Sequence, residues 1–176
     1  MRVQQNEKRQ RALYILGKNI RAFREQQGKS CKDFAEDIGY HRLALANLEY
    51  GGKDIQLKTV IKVAQKLDVP MPYLFSDIFI SEYLTMQVER RPRYAGDDFL
   101  LVFSQNVKEC LRTRGAQAAL CEAVEMDASN VSKILNCKLK NPCIVTLDAL
   151  AEGVGKELSG LFSRTGQLQL AEEDEI

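Results

Sequence analysis

Apolar residues recur at spacings of three and four in a series of short blocks, and period-two alternation is sustained nowhere. That pattern belongs to amphipathic helices around a core rather than to strands. In the first half Leu16, Ile20 and Phe23 mark one helix, which Gly28 stops, and Ser30 is placed to N-cap a second that buries Phe34, Ala35 and Ile38. Gly39 permits a sharp turn into a third helix from about His41 to Tyr50, with Leu45 and Leu48 inward and Gly51-Gly52 at its end. Leu57, Val60, Ile61, Ala64 and Leu67 line a fourth, and Leu74 and Phe75 a short fifth. The fold predicted is all-α.

The same blocks return after a shift of roughly 87 residues. Asn19-Ile20-Arg21 recurs as Asn106-Val107-Lys108, Thr59 and Ala64 as Thr146 and Ala151, and Leu74-Phe75-Ser76 as Leu161-Phe162-Ser163. The chain therefore divides into a basic arm (1–12), a first five-helix domain (13–76), a linker that is part helical (77–97), a second five-helix domain (98–164) and an acidic tail (165–176). The first half of the linker, DIFISEYLTM, is apolar enough to extend helix five, to pack the domains together or to form a dimer contact, and the pattern leaves these open. The second half, QVERRPRYAGDD, is charged and broken by Pro92 and Gly96. A tether of ~20 residues spans up to ~66 Å when extended.

Composition narrows the function. A hydrophobic content of 45% is that of a globular protein. No run approaches the ~18 apolar residues of a membrane span, and the N-terminus lacks an apolar signal core, so a cytoplasmic protein with no membrane partner is expected. The net charge of +1 hides an asymmetry: residues 1–97 carry 17 Lys and Arg against 12 Asp and Glu, whereas 98–176 carry 8 against 12. Five cysteines include no C-x-x-C pair and read as reduced thiols, with a redox or metal role for Cys137 and Cys143 left open. His41 is the single histidine, no glycine-rich phosphate loop is present, and Glu36-Asp37 read as a solvated face. No catalytic residue, metal, cofactor or small-molecule ligand is therefore expected, and the protein is not read as an enzyme.

The most informative stretch runs from Gly28 to Phe75: a Ser30 cap, Phe34-Ala35, Ile38-Gly39, Leu48-Glu49 followed by Gly51, Leu57 with Thr59, and Ala64. It resembles the Cro and lambda-repressor-like (Xre) helix-turn-helix family. The second copy, from Gly115 to Phe162, looks like the same family, with Gln117 and Leu120 in helix two and Ser129 to Leu135 in helix three. It departs at Ala116 in place of the serine cap, Glu125 in place of the turn glycine and Leu135 in place of Glu49.

The resemblance implies two tandem lambda-repressor-like domains whose third helix enters the major groove of double-stranded DNA. It places Arg42, Leu43 and Asn47 toward base edges, with His41 and Ala44 nearby, and Ser129, Asn130 and Lys133 in the second copy, with Ala128 at the position of Arg42. Phosphate contacts fall to Lys32, Lys53, Gln117, Lys138 and Lys140 and to the amides that open helix two. Arg24 and Glu49 match a structural ion pair of the family. A transcription regulator follows, a repressor in preference to an activator, with duplex DNA as partner and a homodimer as a further one. A single chain with two diverged readers implies a site of two unlike parts. The alternatives are a protein-interaction module, such as an antitoxin or antirepressor, and a chain whose first domain reads DNA while its second self-associates.

Overall fold

Helix-favouring Gln, Glu, Lys and Arg residues with no proline among them carry the first helix much further toward the N-terminus than the apolar pattern alone implies. In the computed structural model, which describes residues 2–164 and, within α1, side chains only from residue 11, α1 spans Arg2–Gln26. Residues 2–12 of the segment read as a basic arm are thus the opening turns of α1, and the acidic tail lies outside the described residues. The remaining helices are α2 (Cys31–Asp37), α3 (Arg42–Glu49), α4 (Leu57–Leu67), α5 (Asp77–Thr85), α6 (Phe99–Cys110), α7 (Ala116–Ala123), α8 (Ala128–Leu135), α9 (Ile144–Gly153) and α10 (Leu158–Leu161). Two 3-10 turns, Met71–Phe75 and Val88–Arg90, complete the described residues, which contain no strand. None of their helices is long and apolar enough to cross a membrane.

Local chemistry explains the boundaries. Ser30 accepts from the Asp33 amide at 3.1 Å and starts α2. His41 caps α3 through Nδ1, which accepts from the Leu43 amide at 3.3 Å, so this residue serves the start of the helix rather than its outer face. In the second half the cap of α7 is Gly115, one residue before the expected Ala116, and it offers no side-chain bond. Gly39 turns between α2 and α3 at φ 66°, and Glu125 makes the corresponding turn at φ 52°, in the left-handed region that disfavours a side chain.

Equivalent bonds close the two halves. Asn19 Nδ2 donates to the carbonyls of Leu74 and Ser76, both at 3.3 Å, and Asn106 Nδ2 donates to those of Leu161 and Ser163, both at 2.9 Å. Each bond ties the first helix of its half to the last turn. Where α1 crosses α3, Gly17 lies so close that an added Cβ would stand 2.2 Å from the Leu48 carbonyl oxygen. At the same place in the second half, Ser104 donates its hydroxyl to the Ile134 carbonyl at 3.1 Å.

Residues 77–97 are not a free tether. Ser76 caps α5 as a separate helix, and Tyr83 packs edge-on against Phe23 with centroids 5.1 Å apart. Arg91 lies over the Tyr83 ring at 5.2 Å, and the Tyr94 amide donates to Asp68 at 3.2 Å. This segment folds back on the first half because its aromatic residues find apolar partners there.

The two halves also meet directly. An isolated antiparallel bridge joins Gln56 to Cys143: the Ile144 amide donates to the Ile55 carbonyl at 2.8 Å, and the Leu57 amide donates to that of Pro142 at 2.9 Å. The Lys58 amide in the first turn of α4 donates to Asn141 Oδ1 at 2.9 Å, and the Val145 amide in the first turn of α9 donates to Asp54 Oδ1 at 3.3 Å. Neither helix has a side-chain cap from its own N-cap residue, so each is capped by the opposite half. Phe75 stacks on Phe162 at 5.4 Å, and α1 lies against α9.

Candidate nucleic-acid interface

The interface is built on two helices held at a turn. α2 buries Phe34 and Ala35, α3 buries Leu45, Leu48 and Glu49, and the Tyr40 amide after Gly39 donates to the Ala35 carbonyl at 2.7 Å to close the angle between them. With one face of α3 fixed in the core, residues spaced by four and three fall on the opposite face. Leu43, Asn47 and Tyr50 form that outward row, with Leu43 63% and Tyr50 73% exposed, and Arg42 stands exposed beside it in the first turn. Among the described residues the side chains of Arg42 and Asn47 bond to no other group.

Leu43 and Tyr50 stay in water in the folded chain and add nothing to its core, so this row offers apolar as well as polar surface. Tyr50 was not among the residues singled out by sequence. Its position one turn beyond Asn47 on a 3.6-residue period is the signal that finds it.

The end of α3 is anchored from below. Arg24 Nε donates to Glu49 Oε1 at 2.6 Å and Nη2 to Oε2 at 2.9 Å, while Nη1 donates to the Lys29 carbonyl at 2.7 Å. Both side chains are buried, and hydrogen bonding to Glu49 raises the Arg24 pKa above its ordinary value. The pair joins α1, the α1–α2 loop and α3 in one rigid block. Cys31, at the first position of α2, directs its thiol to the Arg42 carbonyl at 3.8 Å, toward the start of α3. Lys29 pairs with Asp37 at 2.6 Å and holds that carboxyl below its usual range, leaving Lys32 and Lys53 as exposed cations flanking α3.

In the second half α7 and α8 are likewise joined by a turn, with other side chains on them. α8 buries Val131, Ile134 and Leu135, and Ser129, Asn130 and Lys133 are exposed on its outer side. Asn136, at the place of Tyr50, is turned back: its Nδ2 donates to the Ser132 carbonyl at 2.9 Å and its Oδ1 accepts from Lys108 at 3.1 Å. Gln117, Lys138 and Lys140 are exposed at the start of α7 and in the loop after α8. Leu111 and Leu135 occupy the places of Arg24 and Glu49, so an apolar pair stands where the first half has charges. The five cysteines are all unpaired by disulfides; Cys137 faces the Ser104 hydroxyl at 3.6 Å, and Cys143 sits at the junction, where burial pushes its thiol up.

Residues 20–74 match the family model described as helix-turn-helix. The matched span runs from the middle of α1 to the 3-10 turn at Met71–Phe75 and contains the whole α2–α3 arrangement. No curated protein and no solved structure matches the chain.

Proposed function

We propose that the protein is a sequence-specific DNA-binding transcription regulator, acting as a repressor, that reads the major groove with α3 and, in its second half, with α8. One observation carries the reading: a helix-turn-helix match whose α3 presents Arg42, Leu43 and Asn47 outward, free of partners, on a helix anchored by the Arg24–Glu49 pair. Arg42 offers two hydrogen bonds to a guanine edge, Asn47 the same to adenine, and Leu43 an apolar contact to a thymine methyl, each bidentate contact contributing about 1–3 kcal/mol of discrimination. Lys32 and Lys53 contact phosphates and set the register of α3, and Gln117, Lys138 and Lys140 do so for α8. Ser129, Asn130 and Lys133 read a different sequence from that read by α3. Tyr50 joins the first reader. The reading invokes no catalysis, cofactor or small ligand.

The test is selection of duplexes from a random pool by the full-length protein at near-physiological salt, beside Arg42→Ala and Lys133→Ala. Each variant is expected to weaken a different part of the enriched sequence with helix content unchanged, and affinity to fall steeply as salt rises. Binding without sequence enrichment, or enrichment untouched by Arg42→Ala, would overturn it.

A further inference from the structure

The contacts between the two halves have a property that packing alone does not require. Shifting every residue by 87 positions exchanges the members of each contact: Leu57 N to Pro142 O becomes Ile144 N to Ile55 O, and Lys58 N to Asn141 Oδ1 becomes Val145 N to Asp54 Oδ1. Gln56 bonded to Asn141 becomes Cys143 bonded to Asp54, and Phe75 on Phe162 becomes itself. Residue i meets j and the counterpart of j meets the counterpart of i, which is the defining feature of an isologous interface about a twofold axis. Here both sides belong to one chain. The symmetry breaks where α1 lies against α9, with Arg11, Ala12 and Ile15 beside Asp148 and Glu152.

We infer that the chain binds DNA as a covalent pseudo-dimer whose site is an inverted repeat of two unlike arms at one fixed spacing. This rests on the DNA-reading proposal above and adds orientation, spacing and stoichiometry to it. Two readers related by a twofold axis present α3 and α8 to one duplex in opposite senses, and only an inverted arrangement of arms meets both alike. A head-to-tail junction would instead favour a direct repeat. The arms differ because Ser129, Asn130 and Lys133 stand where the first half has Leu43, Ala44 and Asn47. The spacing is set by the bridge at Gln56 and Cys143 and by the Phe75–Phe162 stack, not by the reach of residues 77–97, which are packed down.

The experiment uses the full-length protein and its selected duplex, resynthesised in three further forms: one arm turned round, about 5 bp added between the arms, and one arm scrambled. One chain per duplex is expected on the selected form. Turning an arm or adding half a helical turn is expected to weaken binding at least ~10-fold, to the level of the single-arm duplex, because the second reader then faces away from its arm. Equal binding of all arrangements, or two chains on a symmetric palindrome, overturns the pseudo-dimer while DNA reading stands. Failure to enrich any duplex overturns DNA reading and this inference with it.

Discussion

Arg24 and Glu49 form a two-bond ion pair in the interior of the first half, and the second half puts Leu111 and Leu135 in the same places. A buried pair of this kind contributes geometry more than stability, whereas loss of one partner strands a charge. Arg24→Ala is expected to cost about 3–5 kcal/mol, and the double change Arg24→Leu with Glu49→Leu to recover most of it. Urea unfolding of the three proteins checks this; a double variant as unstable as the single one would show that the charges themselves hold α3.

Glu125 turns between α7 and α8 with a positive φ, as Gly39 does between α2 and α3. A Cβ at Gly39 would meet nothing within 4 Å, so the difference between the turns is one of backbone strain alone. Glu125→Gly should raise stability by about 1 kcal/mol and Gly39→Ala should lower it by about as much. Unequal signs in paired denaturation curves are the expected outcome, and a destabilised Glu125→Gly would show that the side chain holds a contact.

Asp148, on the α9 face toward α1, lines a cavity shared with Arg11, Asp77, Glu152, Lys156 and Glu157. Burial, with Glu152 nearby, pushes its carboxyl up to about 6 against the opposing pull of Arg11. The folded chain therefore holds this proton over a range where the unfolded chain has released it. Stability from this group is full below pH ~4 and lost as pH rises through about 6, a change on the order of 1–3 kcal/mol. Glu25 and Asp37, held below their usual range by Arg21 and Lys29, act with the opposite sign, but only at lower pH. Melting temperatures between pH 5 and pH 8 should fall for the parent and flatten for Asp148→Asn; parallel curves would refute the assignment.

Asp54 and Asn141 cap helices that belong to the other half. Asp54→Ala and Asn141→Ala should each cost about 1 kcal/mol, as the loss of an ordinary N-cap does. Hydrogen exchange locates the effect: protection is expected to drop at the start of α9 for Asp54→Ala and of α4 for Asn141→Ala. A drop confined to the mutated half would contradict the crossed capping.

The helices and the outward face of α3 were legible because 3.6-residue periodicity, glycine breaks and the Ser30 cap are local signals. Arg42, Leu43 and Asn47 stand on the exposed side for the same reason that Leu45 and Leu48 are buried. What sequence could not give is what depends on distant partners. Residues 2–12 look like an arm because their charge hides a helix, and 77–97 look like a tether because the contacts of Tyr83 and Arg91 with the first half have no local signature. The junction was invisible for a similar reason: Asp54 and Asn141 are unremarkable loop residues until the fold brings each to the other half's helix.

A junction whose two sides share one polypeptide cannot be separated by dilution. Two copies of a single-reader protein must first find each other, so their occupancy of a two-arm site rises with the square of concentration while they remain monomeric. If the chain binds DNA as the pseudo-dimer proposed above, its second reader is held at an effective concentration set by the fold, and the response to protein level is first order from the lowest dose. On that proposal the joined halves would act as a switch graded by abundance, without the threshold that assembly imposes.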